Sequence, residues 1–323
     1  MKAETNTTFK NTFEEEVHNG LTSYPKFLSS KYFYDKKGDK LFQDIMNLPE
    51  YYLTNCEMDI IETHKNQITN YFNDSNGFDL IELGAGDGKK TKVLLKEMMR
   101  LSLDFQFMPI DISHNVLEEL EKSLETEMPG IQVIPQQGTY FDILDKLATY
   151  SERKKIIMVL GSNIGNLLHP DAINFLRQIQ EAMSEKDLLF MGFDQKKNPQ
   201  TILDAYNDKT GVTEAFNKNI LARINAEMGA DFDLDKFLHW EVYDPESGTA
   251  KSYLVATESH IVHIQAIDTT IKFDQWESIH TEISQKYDDK IVKWLADESG
   301  LKIDTSFSDP DNYYKNYIFS VKD

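Results

Sequence analysis

The chain has a single cysteine, Cys56, in 323 residues, so an intrachain disulfide is excluded and a reducing compartment is expected. Its neighbours Glu57 and Asp59 disfavour a thiolate, which argues against a cysteine nucleophile. Basic residues are scarce: 34 Lys and Arg face 54 Asp and Glu, a formal net charge of -20. Affinity for a phosphate backbone grows with the cations that displace counterions, so no nucleic-acid partner is expected. No apolar run approaches the roughly 18 residues of a membrane span, and no membrane partner is expected. The opening MKAETNTTFKNTFEEEVHNG lacks the apolar stretch of a secretory signal, which makes the cytoplasm the expected location. Metal-ligand spacing is also missing. His260 and His263, in SHIVHI, point to opposite faces of a strand-like segment, so no metal is expected. With no repeat, low-complexity tract or Pro/Gly-rich linker, boundaries must come from changes in pattern; the acidic charge favours a small-molecule substrate, and the closed, interrupted architecture suggests a monomer.

What is present falls into distinct textures. Residues 1–70 read mainly as helices, with Glu14, Glu15 and Glu16 expected on a solvated helix face. From about residue 78, the apolar runs FDLIELG, FQFMPIDIS, IQVIPQ, KKIIMVLG and DLLFMGF alternate with amphipathic segments. That alternation predicts βαβ units and a parallel sheet covered on both faces. After Phe193 come a helix, a turn at Gly211 and a longer helix, then the strands HWEVYD, AKSYLVAT, HIVHIQAI and TTIKFD. A last helix and two strands, LKIDTSF and YYKNYIFSVK, restore the α/β pattern. The expected fold is therefore α/β: a doubly wound, Rossmann-like sheet interrupted by an insertion. Residues 61–197 and 287–323 form the expected core, and residues 1–60 and 198–286 a second, α+β lobe that binds substrate.

The stretch DLIELGAGDGKKT ends a predicted buried strand in three glycines. Glycine there lets the backbone turn sharply and lets a ligand approach the main chain. The stretch departs from the dinucleotide fingerprint G-x-G-x-x-G in lacking its third glycine. Glu82 precedes the turn, a poor neighbour for a pyrophosphate and a better one for a cation. The next strand ends in Asp111, about 25 residues after the glycines, a spacing suited to accepting bonds from ribose hydroxyls. A positively charged adenosyl ligand such as S-adenosylmethionine fits both acids, with NAD the alternative on this pattern alone.

These residues, the PID of the second strand and GSNIGNL (161–167) resemble class I SAM-dependent methyltransferases, and more narrowly the histidine Nα-methyltransferases of ergothioneine biosynthesis. The resemblance extends to KYFYDKKGDKLFQDIMNLPEYYLT (31–54), DAYNDKTGVTEAFNKNILARIN (204–225), ADFDLDKF (230–237) and TEISQKY (281–287). It implies stepwise methylation of the α-amino nitrogen of histidine by S-adenosylmethionine. It places Glu82, Gly84, Gly86, Lys90 and Asp111 at the cofactor, with Thr139 and Tyr140 beside the adenine. Tyr51, Asn166 and Tyr206 would hold the amino-carboxylate end of histidine, with Gly161 and Thr213 close by. Glu282 and Ser284 would grip the imidazole, and Tyr34 and Phe42 would close over the amine. The chain departs from the family pattern at Ser252, where a methionine borders the ring pocket, and at Thr139-Tyr140, where Asp-Phe is usual.

The residues themselves suit this chemistry. In-line displacement at a sulfonium needs no metal or covalent intermediate, only alignment and exclusion of water. An α-amino group with a pKa of about 7.7–8.0 loses its proton near neutrality, so Tyr34 and Tyr51 are assigned to orienting rather than to base catalysis. In Glu282-Ile283-Ser284 a carboxylate and a hydroxyl stand two apart, on one face of a strand, suited to both imidazole nitrogens. Asn166 could also cap a helix. Two rivals remain: the same fold acting on another amino acid or amine, and a non-catalytic sensor of S-adenosylmethionine.

Overall fold

The computed structural model describes residues 9–138, 144 and 153–322. The chain begins with α1 (Thr12–Thr22), the short strand β1 (Lys26–Phe27) and α2 (Lys36–Met46). The acidic run of α1 is not wholly solvated as expected. Glu14 is buried and accepts the Lys10 N–H at 2.7 Å, while the Asn11 side chain accepts the Glu14 N–H at 3.0 Å. Both bonds satisfy donors that a helix start leaves open.

Next come α3 (Tyr52–Phe72), β2 (Phe78–Leu83), α4 (Lys89–Arg100), β3 (Phe105–Asp111), α5 (His114–Glu127), β4 (Gln136–Gln137), β5 (Lys154–Val159), α6 (His169–Glu181) and β6 (Leu188–Asp194). The middle of the chain holds α7 (Pro199–Tyr206), α8 (Val212–Met228), β7 (Phe237–Asp244), β8 (Thr249–Ala256), β9 (His260–Ile264), β10 (Thr269–Phe273) and β11 (Ser278–Gln285). The chain then returns through α9 (Asp289–Glu298), β12 (Leu301–Ser308) and β13 (Tyr314–Val321). It divides into two compact units, Met1–Tyr52 with Lys197–Ser284, and Leu53–Lys196 with Gln285–Asp323.

The second unit is built on a seven-stranded sheet of order β12-β13-β6-β5-β2-β3-β4. Strands β4, β3, β2, β5 and β6 pair in parallel, and β13 runs antiparallel to both β6 and β12. Every residue of β2 is buried, as expected of a central strand covered on both faces. The chain winds outward from β2 through β3 on one side and from β5 through β6 on the other. The carboxyl ends of β2 and β5 therefore form the topological switch point, where open α/β sheets bind ligands. The run IQVIPQ, expected as a full strand, pairs only over Gln136–Gln137 and at a Val133–Phe107 bridge. The ladder breaks where Pro109 of β3 has no N–H to give Ile134 O; the nitrogen of Pro135 faces away from β3.

The first unit has a four-stranded sheet, β1-β11-β8-β7, and a β9–β10 hairpin. Ile220, Leu221 and Ile224 of α8 pack with Phe237, Leu254, Ala256 and Ile279 of the sheet. Gly211 and Gly229 bound α8 with φ of 78° and 62°, a backbone region that costs glycine no steric penalty.

Candidate functional site

At the switch point, the turn after β2 is held by Gly84 N–H and Ala85 N–H, which donate to Ile110 O at 2.8 and 3.2 Å. Gly86 has φ 54°, and a Cβ there would meet nothing within 4 Å, so the turn presents bare main chain to open space. Its N–H points to Asp111 Oδ2 at 3.4 Å, and the other carboxylate oxygen takes the Ser113 N–H at 2.9 Å. Glu82 is buried beneath the turn. The Thr91 hydroxyl donates to its Oε1 at 2.6 Å, while Oε2 has no hydrogen-bond partner among the described residues. Burial raises this carboxyl to about 8, against the lowering effect of Thr91 and Lys90. An orphaned acid oxygen below a turn with open space suits a ligand carrying positive charge. Thr139 and Tyr140, expected beside the adenine, lie outside the described residues.

The neighbouring turn, GSNIGN, follows β5. Gly161 has φ 79° and Ser162 φ 58°, the latter unusual for a residue with a side chain. Ser162 Oγ accepts the Asp194 N–H at 3.1 Å, and the Tyr287 hydroxyl donates to Ile164 O at 3.0 Å. Gly165 N–H closes the turn on Ser162 O at 2.8 Å, and a Cβ at Gly165 would lie 3.2 Å from Gln285 O. The turn is thus pinned from below, and Asn166 at its end is exposed. Asn166 does not cap α6; that position falls to Leu168, with a proline in the first turn. The Gly161 N–H and the Lys90 ammonium both bond Glu57 Oε2, at 2.7 and 2.5 Å.

In the first unit, aromatic rings form a connected group. Tyr34 meets Phe42 and Phe216 with centroids 5.6 Å apart in both cases. Phe42 meets Tyr51 at 6.3 Å and Phe216 at 5.8 Å, and Tyr51 meets Tyr206 at 6.3 Å. The Tyr206 hydroxyl shares a hydrogen bond of 2.6 Å with Ser284 Oγ. Tyr34 leaves 40% of its surface exposed. Burial, reinforced by the Glu282 carboxylate, raises its pKa well above the phenolic value, so the group stays a neutral donor.

Two asparagines of α8 set this group. Asn219 Nδ2 donates to Asp35 Oδ1 at 2.9 Å and Phe33 O at 3.2 Å, flanking Tyr34. Asn217 Nδ2 bonds His239 Nδ1 at 2.8 Å, and His239 Nε2 bonds Tyr206 O at 2.9 Å. With asparagine as the donor, this network assigns His239 as neutral and protonated on Nε2. Burial lowers its pKa in the same sense.

Thr213 is buried at the start of α8 and gives its N–H to Asp208 Oδ1 at 2.7 Å. Burial would raise the Asp208 carboxyl, but bonds from Thr210, Thr213 and Val212 hold it at about 2. Ser252 is buried and committed: its hydroxyl donates to Glu241 Oε2 at 2.7 Å, and its carbonyl accepts from Thr281 at 3.0 Å. Phe216, His239, Glu241 and Glu57 were missed by sequence reasoning. Only Phe216 left a signal, as an aromatic in a helical pattern beside the AYND motif.

The family described as histidine-specific, SAM-dependent methyltransferases matches residues 13–321. Histidine N-alpha-methyltransferase of Mycolicibacterium smegmatis is 36% identical over 297 residues, covering 91% of this chain and 90% of that protein. The protein of the same name from Mycobacterium tuberculosis is 32% identical over 297 residues, with 88% and 91% covered. Ergothioneine biosynthesis protein 1 of Schizosaccharomyces pombe is 29% identical over 303 residues, which is 91% of this chain and 39% of that longer protein.

Proposed function

Because the chain belongs to the histidine-specific, SAM-dependent methyltransferases, we propose that it transfers methyl groups to the α-amino nitrogen of L-histidine, as far as Nα,Nα,Nα-trimethylhistidine. S-adenosylmethionine supplies an electrophilic methyl on a sulfonium. The carrying observation is the ring group of Tyr34, Phe42, Tyr51, Tyr206 and Phe216 in the unit that also holds Glu282 and Ser284. An amine loses hydrogen-bond donors with every methyl it gains, while aromatic faces hold the growing cation by cation–π attraction. The amine loses its proton to solvent, and Tyr34, kept neutral, orients it rather than taking that proton.

Glu282 accepts from one imidazole N–H, and Ser284, coupled to Tyr206, meets the other nitrogen. On the donor side, Glu82 and Asp111 face the ligand's positive charge and ribose hydroxyls, and the Gly84–Gly88 turn lets it lie on main chain. Family membership decides against NAD. In this reading the enzyme is a cytoplasmic monomer acting on a free amino acid, and among the described residues no helix is long and apolar enough to cross a membrane.

The test is mass analysis of histidine incubated with S-adenosylmethionine and the enzyme, with Glu282→Ala alongside. Three added methyl groups are expected. Loss of a charged hydrogen bond of about 1.5–3 kcal/mol should raise the histidine KM roughly 10- to 150-fold in Glu282→Ala, leaving nucleotide affinity unchanged. Methylation only of another amine would overturn the substrate, and equal loss of both ligands would overturn the pocket.

A further inference from the structure

Glu57 lies on α3, away from both switch-point turns in sequence, and its side chain is fully buried. Its carboxylate gathers three donors. Lys90 Nζ at 2.5 Å and the Gly161 N–H at 2.7 Å share Oε2, and Asn316 Nδ2 at 2.9 Å takes Oε1. Lys90 opens α4 behind the glycine turn, Gly161 opens GSNIGN, and Asn316 stands on β13 opposite Gly192 of β6. Gly192 makes the room: a Cβ there would collide with Glu57 Oε1. A buried carboxylate is costly unless paired and hydrogen-bonded, and here both oxygens are engaged.

We infer that Glu57 is a positioning residue for the methyl donor: one buried carboxylate ties the cation behind the β2 turn to the first amide of the β5 turn, holding both walls of the switch point together. The inference rests on the donor reading above. Glu57 touches no ligand itself; it acts through Lys90, whose side chain remains 21% exposed. Glutamine at this position keeps one acceptor oxygen for Gly161, removes the charge that holds Lys90, and sets an NH2 group against Asn316, whose unpaired Oδ1 can turn to accept it.

Calorimetric titration with S-adenosylhomocysteine tests this without histidine. Glu57→Gln and Lys90→Met should each weaken binding about tenfold, and the double variant should bind no worse than about twice as weakly as either, because both remove one interaction. Asn316→Ser releases the other carboxylate oxygen from outside the turns. It should weaken binding roughly threefold, and not at all in the Lys90→Met background, which keeps the test usable if Glu57→Gln does not fold. Effects that multiply to about a hundredfold in the double variant, or unchanged affinity in Glu57→Gln, would overturn the inference. No binding by the unaltered protein would instead overturn the donor reading on which the inference stands.

Discussion

A proton should leave when the methyl donor binds. Burial lifts the Glu82 carboxyl to about 8, so in the ligand-free protein at pH 7 roughly ten molecules carry the proton for each that is ionised. A sulfonium and an ammonium bound at the glycine turn would favour the anion of this buried, unpartnered carboxyl oxygen. If the bound state returns the group to its ordinary value of about 4.3, binding at pH 7 releases about 0.9 proton. Affinity then climbs up to about tenfold per pH unit between about 5 and 8 and levels above that, each unit being about 1.4 kcal/mol. Calorimetry at pH 7 in two buffers of different ionisation enthalpy reads the proton directly. Glu82→Gln should abolish the release and flatten the pH dependence. The ligand-free protein shows the same group with the opposite sign. A carboxyl raised above its unfolded value stabilises fully below about pH 4.3 and loses that contribution as pH rises toward 8, so Glu82→Gln gains relative stability at pH 8. Release below about 0.1 proton, or equal release in the glutamine variant, would refute the reasoning.

Gly192→Ala should lower unfolding stability by about 1–3 kcal/mol by urea titration, because its Cβ collides with Glu57 Oε1 and the Tyr314 hydroxyl inside a buried strand. Burial lowers the pKa of His239, His280 and His169, so these rings stay neutral in the folded protein while the unfolded chain takes up protons below about 6.5. Stability should therefore fall as pH drops through that value, and His239→Gln should make the fall shallower in denaturation curves measured across pH 5–7.

The elements legible in the sequence are those whose local physics is loud. Parallel strands buried on both faces read as unbroken apolar runs, which is why β2, β5 and β6 stand out, while β3 is buried only in part. A backbone with positive φ asks for glycine, so the turns at Gly84 and Gly211 announce themselves. The strand β1 has two residues and leans on a partner about 250 positions away, and nothing local marks it. IQVIPQ differs in the other sense: its composition is that of a strand, but Pro109 on the neighbouring β3 lacks the donor that continuous pairing needs.

The same distinction runs through the candidate site. Glu14 and Glu57 look alike in the sequence, each an acid on a helix with a second acid close by. Yet Glu14 is buried by a bond four residues away, and Glu57 by donors 33, 104 and 259 residues away. His239 likewise gains its meaning from Asn217 on a helix and from the carbonyl of Tyr206. A residue that meets a ligand must carry the right chemistry in its own side chain, and that chemistry can be read one position at a time. A residue that holds such a group in place needs only a matching partner, and the fold chooses the partner. Because a buried charge is tolerated only when its partners are already in place, each such residue ties distant segments together. The fold itself thus depends on contacts that no stretch of sequence displays.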